Sequence, residues 1–92
     1  MTSPAPSTHP LYVRAYHYRG ISNDQLGNYA DAKKDYNIAI KLDPYDPELH
    51  IALGSTKLHL NEFEDAIASF DTALIINPTN ANAYINRGVA KR

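Results

Sequence analysis

Four histidines and no cysteine bound the chemistry open to this 92-residue chain. Without cysteine there is no disulfide framework and no thiolate zinc site. His50 and His59 stand nine positions apart, which places them on opposite faces of a helix, so they cannot share a metal. His9 falls in a Pro/Ser/Thr-rich opening stretch, and His17 stands alone. No H-E-x-x-H, no phosphate-cradling glycine loop and no C-x-x-C is present. A Ser-His-Asp set can be drawn from almost any composition, and no spacing here singles one out. The expectation is a chain with no catalytic residues, no metal and no cofactor.

Composition narrows the partners. Hydrophobic residues make up 43% and charged residues 21%, a globular balance rather than a disordered one. The net charge of −1 carries no basic excess, so neither nucleic acid nor a membrane surface is expected as partner. No apolar run approaches the roughly 20 residues of a membrane span. The opening "MTSPAPSTHP", residues 1–10, lacks the basic and apolar regions of a secretory signal and reads as a disordered lead-in. The missing cysteines fit a reducing compartment, and a cytoplasmic location is the expectation.

The chain repeats itself. "AYHYRG" ends at Gly20 and "AYINRG" ends at Gly88, 68 positions apart, with Gly54 midway. The half-period of 34 holds elsewhere: Leu26 with Leu60, Asp31 with Asp65, Ala32 with Ala66, Ala39 with Ala73 and Pro44 with Pro78. Tyr36 with Phe70 is a softer match. A fixed period of this length marks a stacked array.

Each unit reads as helix, short turn, helix, proline. Asp46-Pro47-Glu48 is a helix start, with Asp as N-cap and Pro in the first position. Leu49, Leu53, Thr56 and Leu60 follow at helical spacing. Asn61 reads as the cap of the next helix, with Glu64 as its capping-box partner, and Asn28 fills the same role in the first unit. Phe63, Ala66, Ile67, Phe70, Ala73 and Leu74 form an apolar stripe that Pro78 closes. Gly20, Gly54 and Gly88 sit inside helices, where each costs about 1 kcal/mol against alanine. A slot that repeats this cost implies close helix approach, with Ala32 and Ala66 the expected neighbours.

These residues resemble the tetratricopeptide repeat family over about Leu11 to Arg92. The aromatic slot holds Tyr16, His50 and Tyr84. The Leu-Gly slot holds Arg19-Gly20, Leu53-Gly54 and Arg87-Gly88. Later slots hold Ala32, Tyr36, Ala39 and Pro44, then Ala66, Phe70, Ala73 and Pro78. Departures are His50 itself and Asn23, Lys57 and Lys91 where the family often carries Tyr. The resemblance implies an all-α fold of antiparallel helix-turn-helix repeats stacked as a short α-solenoid, about two and a half repeats and five helices. The repeats run about 13–46 and 47–80, with the first helix of a third at 81–92.

The resemblance also implies a protein-binding scaffold whose first helices line a concave groove for a peptide or partner helix. Helical periodicity nominates Arg14, His17, Tyr18, Ile21 and Gln25 in the first repeat. It nominates Glu48, Ile51, Ala52, Ser55, Leu58 and His59 in the second, and Asn82, Ile85, Asn86 and Val89 in the third. Ile21, Ile51, Ile85 and Val89 are apolar away from the glycine phase, either as helix packing or as an apolar recognition strip. Family members that grip the C-terminal carboxylate of chaperones use Lys and Asn, then Asn, then Lys and Arg. The matching positions here are His17 and Ile21, then Ala52, then Asn82 and Asn86, and none carries the required residue. An apolar or mixed segment, or an amphipathic helix, is the expected partner. Tyr84 and Gly88 on the third repeat's helix lack a covering helix, which gives the alternative of a self-assembling module or homodimer.

Overall fold

The apolar spacing at 3 and 4 produces four helices: α1 (Ala5–Gln25), α2 (Tyr29–Leu42), α3 (Pro47–His59) and α4 (Phe63–Ile76). The structure, a computed structural model, describes residues 5–79 and 85–88, with side chains from residue 11 onward within those ranges. Residues 85–88 are helical, in the segment expected to open a third repeat. Asn82, Tyr84 and Val89 lie outside the described residues. Among the described residues there is no strand and no helix long and apolar enough to cross a membrane.

The helix boundaries follow local chemistry, with three departures from the expectations. Asp46 caps α3 as expected, its side chain accepting from the Glu48 amide at 3.0 Å while Pro47 takes the first position. Asn28 precedes α2 but makes no side-chain cap bond. Asn61 does not cap α4 either: Glu62 holds that place without a side-chain bond, and Asn61 sits in the turn at φ 62°. One period earlier Gly27 has φ 82°, so both turns need a left-handed residue that Gly and Asn supply. α1 begins at Ala5, so residues 5–10 are helical where a lead-in was expected. Pro6 fits the first turn, where its missing N–H is no loss.

α1 packs on α2 and α3 on α4 as antiparallel pairs, and α2 packs on α3 to join them. α1 also touches α3, whereas α2 and α4 do not meet. The first helices are therefore drawn together and the second helices splay apart. The stack curves with α1 and α3 on its concave side.

The glycine slot sets the spacing inside each pair. A Cβ built on Gly20 falls 2.6 Å from the Tyr36 ring, and one on Gly54 falls 2.5 Å from the Phe70 ring. The close neighbour is thus the aromatic of the second helix, not the expected Ala32 and Ala66. Both alanines are fully buried, as are Ala39 and Ala73, and they flank the ring one turn away on the same helix. Ala32, Tyr36 and Leu53 form one cluster, with Ile21, Ile40 and Ala52 packed against it. Ile51, Ala66, Phe70, Ala73 and Leu74 form the other, backed by Leu58. Full burial of a ring such as Phe70 contributes about 1.5–3 kcal/mol.

A polar knot of one half-buried carboxylate and two buried side chains crosses the first repeat boundary. Asp24 on α1 accepts from the Tyr36 hydroxyl of α2 at 2.7 Å and from the Thr56 hydroxyl of α3 at 2.9 Å. Burial, reinforced by this bond to a carboxylate, raises the Tyr36 phenol well above its ordinary 10.0. One period on, the three slots hold Leu58, Phe70 and Ala90. The same positions are polar at one boundary and apolar at the next.

Three outcomes follow from this packing. Gly54→Ala forces a methyl into the Phe70 ring and should lower stability in a urea melt by about 1–3 kcal/mol despite its better helix propensity. Asp24→Leu alone strands the buried Tyr36 hydroxyl, while Thr56 keeps the Ala52 carbonyl as acceptor at 3.0 Å, and should cost about 1–3 kcal/mol. Adding Tyr36→Phe and Thr56→Ala, which copies the next repeat, should recover most of that loss. The unfolded chain ionises Tyr36 near pH 10 while the fold holds it neutral, so its stabilisation is full below pH 10 and declines above it. Tyr36→Phe should therefore cost about 1–2 kcal/mol at neutral pH and flatten the alkaline loss of stability.

Candidate functional site

The concave side is built from α1 and α3, whose inner sides are locked by the glycine–ring contacts. Their outer sides carry the residues available to a partner. On α1, Arg14, Tyr18 and Gln25 are exposed, while His17 and Ile21 are half-buried. On α3, Glu48 and His59 are exposed, and Ala52, Ser55 and Leu58 are half-buried. Ile85 is exposed and Asn86 half-buried on the helical segment 85–88.

Packing claims several of the nominated residues. Ile51 is only 8% exposed and belongs to the Phe70 cluster, so it is core and offers a partner almost no surface. Ile21 and Ala52 back one cluster and Leu58 the other. For Ile21 and Ile51, the open choice between helix packing and a recognition strip goes to packing. The His17 ring meets Tyr36 edge-on at 6.0 Å and stacks on Tyr18 at 6.0 Å. It occupies the slot that Ile51 fills one repeat later, one edge in the core and one on the concave face.

His59 is drawn to the turn edge. Its ring lies parallel to Tyr29 of α2 with centroids 4.5 Å apart. Beside it Lys33 and Glu62 form an ion pair at 2.8 Å, and the two contacts together clasp the first repeat to the second. His50, which replaces an aromatic, uses Nε2 to donate to the Pro44 carbonyl at 2.9 Å and so ties down the α2–α3 turn.

Several charged residues outside the concave face hold the helices together. Arg19 bonds Asp35 through two nitrogens, at 3.0 and 2.6 Å, and Asn23 adds a third donor at 3.0 Å. Asp35 is 3% exposed, and its hydrogen bond and charge hold the Arg19 guanidinium above its ordinary range. Arg19 also lies over the Tyr16 ring at 5.3 Å. In the second repeat Lys57 takes the Asn23 slot and donates to Ser69, which takes the Asp35 slot, at 3.0 Å. Burial lowers the Lys57 ammonium below its ordinary value.

Sequence reasoning missed these polar pairs, along with the Asp24 knot and the Tyr29–His59 stack. The 34-residue lag carried one signal for them: Asn23 and Asp35 recur as Lys57 and Ser69, a change of polar type in both members of one pair. Among the described residues no cluster of His, Asp or Glu is arranged to hold a metal ion. On the concave face the exposed Arg14 and Glu48 balance in charge, the Tyr18 ring is exposed, and Ala52 and Ser55 are half-buried.

The comparisons agree with this architecture. The first tetratricopeptide repeat (TPR) domain of Spaghetti (RPAP3), solved with the HSP90 peptide SRMEEVD, superposes with a TM-score of 0.86 at 26% identity, over 88% of this chain and 64% of that one. The chain thus spans less than two thirds of that domain. The Arabidopsis OM64 TPR domain superposes at 0.88 with 23% identity, over 90% of this chain and 69% of that one. The second TPR domain of human RPAP3, solved with the HSP70 peptide SGPTIEEVD, gives 0.84 at 24% identity, over 87% of this chain and 67% of that one. At these last two identities the likeness shows the fold alone. A family model for the tetratricopeptide repeat matches residues 19–81, more than half of the sequence. With its glycine, aromatic, alanine and proline slots in phase across that span, the chain belongs to the tetratricopeptide repeat family.

Proposed function

We propose that this chain is a non-catalytic protein-interaction module that holds a partner peptide or helix against the concave face of α1 and α3. The observation that carries the reading is the asymmetry of the stack. α1 touches α3 while α2 and α4 stand apart, which leaves one curved face with Tyr18 exposed and Ser55 half-buried. The peptides held by similar solved domains, SRMEEVD and SGPTIEEVD, support the same use of the fold.

The partner chemistry differs from those chaperone tails. A half-buried His17, a packed Ile21 and Ala52 stand where a carboxylate clamp needs Lys, Asn and Asn. Asn86 stands where it needs Arg, and Asn82 lies outside the described residues. A neutral face with an aromatic ring suits an internal, apolar or mixed segment in an extended or helical form. A cytoplasmic setting is part of the proposal, supported by the absence of cysteine.

Selection from a displayed random-peptide library, followed by NMR titration of the selected peptides, tests this directly. Their shifts should centre on Tyr18, Ala52 and Ser55. Tyr18→Ala and Ser55→Arg should each weaken binding by about tenfold, or about 1.4 kcal/mol, while leaving the helical circular dichroism intact. SRMEEVD should bind no better than its C-terminal amide. A strong preference for the free carboxylate, or selected peptides indifferent to both substitutions, would overturn the proposal.

A further inference from the structure

One cation on the concave side is not used by the fold. Of the Arg and Lys residues on α1 and α3, Arg19 is held by Asp35, and Lys57 donates to Ser69. Arg14 is exposed, and among the described residues it has neither an ion pair nor a hydrogen bond. His17 and Tyr18 follow it by three and four positions, so the three side chains neighbour one another on one turn of α1. The half-buried His17 ring lies between Tyr18 and Tyr36 and makes no hydrogen bond. Among the described residues no buried side-chain nitrogen or oxygen lacks a partner, so the His17 nitrogens reach water. A neutral imidazole donates through one of them.

This turn therefore offers a full cation, a neutral donor and an exposed ring side by side. The second repeat does not copy it. On α3 the slot of Arg14 holds the exposed Glu48, which repels an anion, and the slot of His17 holds the buried Ile51. The concave face is thus neutral in sum but basic along α1. We propose that the partner segment held there carries an internal aspartate or glutamate, whose side-chain carboxylate takes the Arg14 guanidinium and the His17 N–H, beside an apolar residue that lies on the Tyr18 ring. One cation matches one carboxylate, and a charge-assisted bond of this kind is the strong form of hydrogen bond. The acid is a side chain and not a chain end, because Ile21 and Ala52, packed against the core, leave no further donor to fix a terminal carboxylate. The assignment rests on the concave-face reading and names the partner chemistry at one place on it.

The test uses the full chain and three pools of short random peptides blocked at both ends. The pools are identical except for one central residue, fixed as Glu, Gln or Lys beside a fixed Leu. Blocking removes both terminal charges, so only the side chain is read. The immobilised chain should retain the Glu pool about threefold or more over the Gln pool, and the Lys pool least. Arg14→Gln, at an exposed site, should erase that preference, and His17→Ile, which copies the next repeat, should reduce it. Both variants should keep the helical circular dichroism. Lys34→Gln, which removes an exposed cation of α2, should leave the preference unchanged. Equal retention of the Glu and Gln pools, with NMR shifts still centred on Tyr18 and Ser55, would overturn this assignment and leave the concave-face reading standing. A Glu preference that survives Arg14→Gln, or that falls equally with Lys34→Gln, would place the acid elsewhere and overturn it too. Retention of no pool, or shifts away from Tyr18 and Ser55, would overturn both.

Discussion

The contact between a helical glycine and an aromatic ring is the constraint on which this structure rests. At Gly20 and Gly54 the ring of the following helix occupies the space a side chain would need. Glycine weakens a helix, so the slot persists only where close approach returns more than it costs. Here it returns a fully buried ring in each repeat, with alanines on both sides. The approach fixes the distance within each helix pair, and α2–α3 packing relays that geometry to the next pair. The curvature of the face formed by α1 and α3 is a consequence.

The corresponding slots of the two described repeats are filled by different chemistry. Asp24, Tyr36 and Thr56 close the first with a carboxylate shared by two hydroxyls, whereas Leu58 and Phe70 pack at the corresponding slots of the second repeat. The half-buried Asp24 carboxylate with fewer donors would hold the stack less firmly, since part of its desolvation cost remains when a partner is lost. The polar version demands one arrangement of three helices at once, while the apolar version tolerates small slips. The Tyr29–His59 stack and the Lys33–Glu62 pair lie on the same boundary. The first repeat boundary is thus tied down at its core and at its edge, and the face beside it is held by a firm frame.

Much of the fold was legible because the 34-residue lag samples the same slot more than once. The glycines, the aromatics and the closing prolines declare the helix pairs, and Asp46-Pro47-Glu48 declares a helix start. The partner of each glycine was misread because spacing along one helix does not say which residue of another faces it. Ring and alanine lie on one stripe, and the ring reaches farther. The turns were misread because a left-handed Asn61 and a capping Asn61 look alike in sequence. On the concave face, periodicity found the helices that line it but not the depth of each residue. Ile51 shares the face by angle, yet the Phe70 cluster absorbs it. His59 shares it too, yet Tyr29 draws its ring to the edge. Side-chain pairing between helices, such as Asp24 with Thr56 across 32 positions, leaves almost no trace in one sequence.

Proton NMR of the folded chain examines the glycine–ring contact without altering a residue. The Hα protons of Gly20 and Gly54 should show strong nuclear Overhauser effects to the rings of Tyr36 and Phe70, and ring-current shifts well away from ordinary helical glycine. Ordinary shifts at Gly20 and Gly54, with their strongest cross-peaks to Ala32 and Ala66 instead of the rings, would contradict the packing on which the fold and its concave face depend.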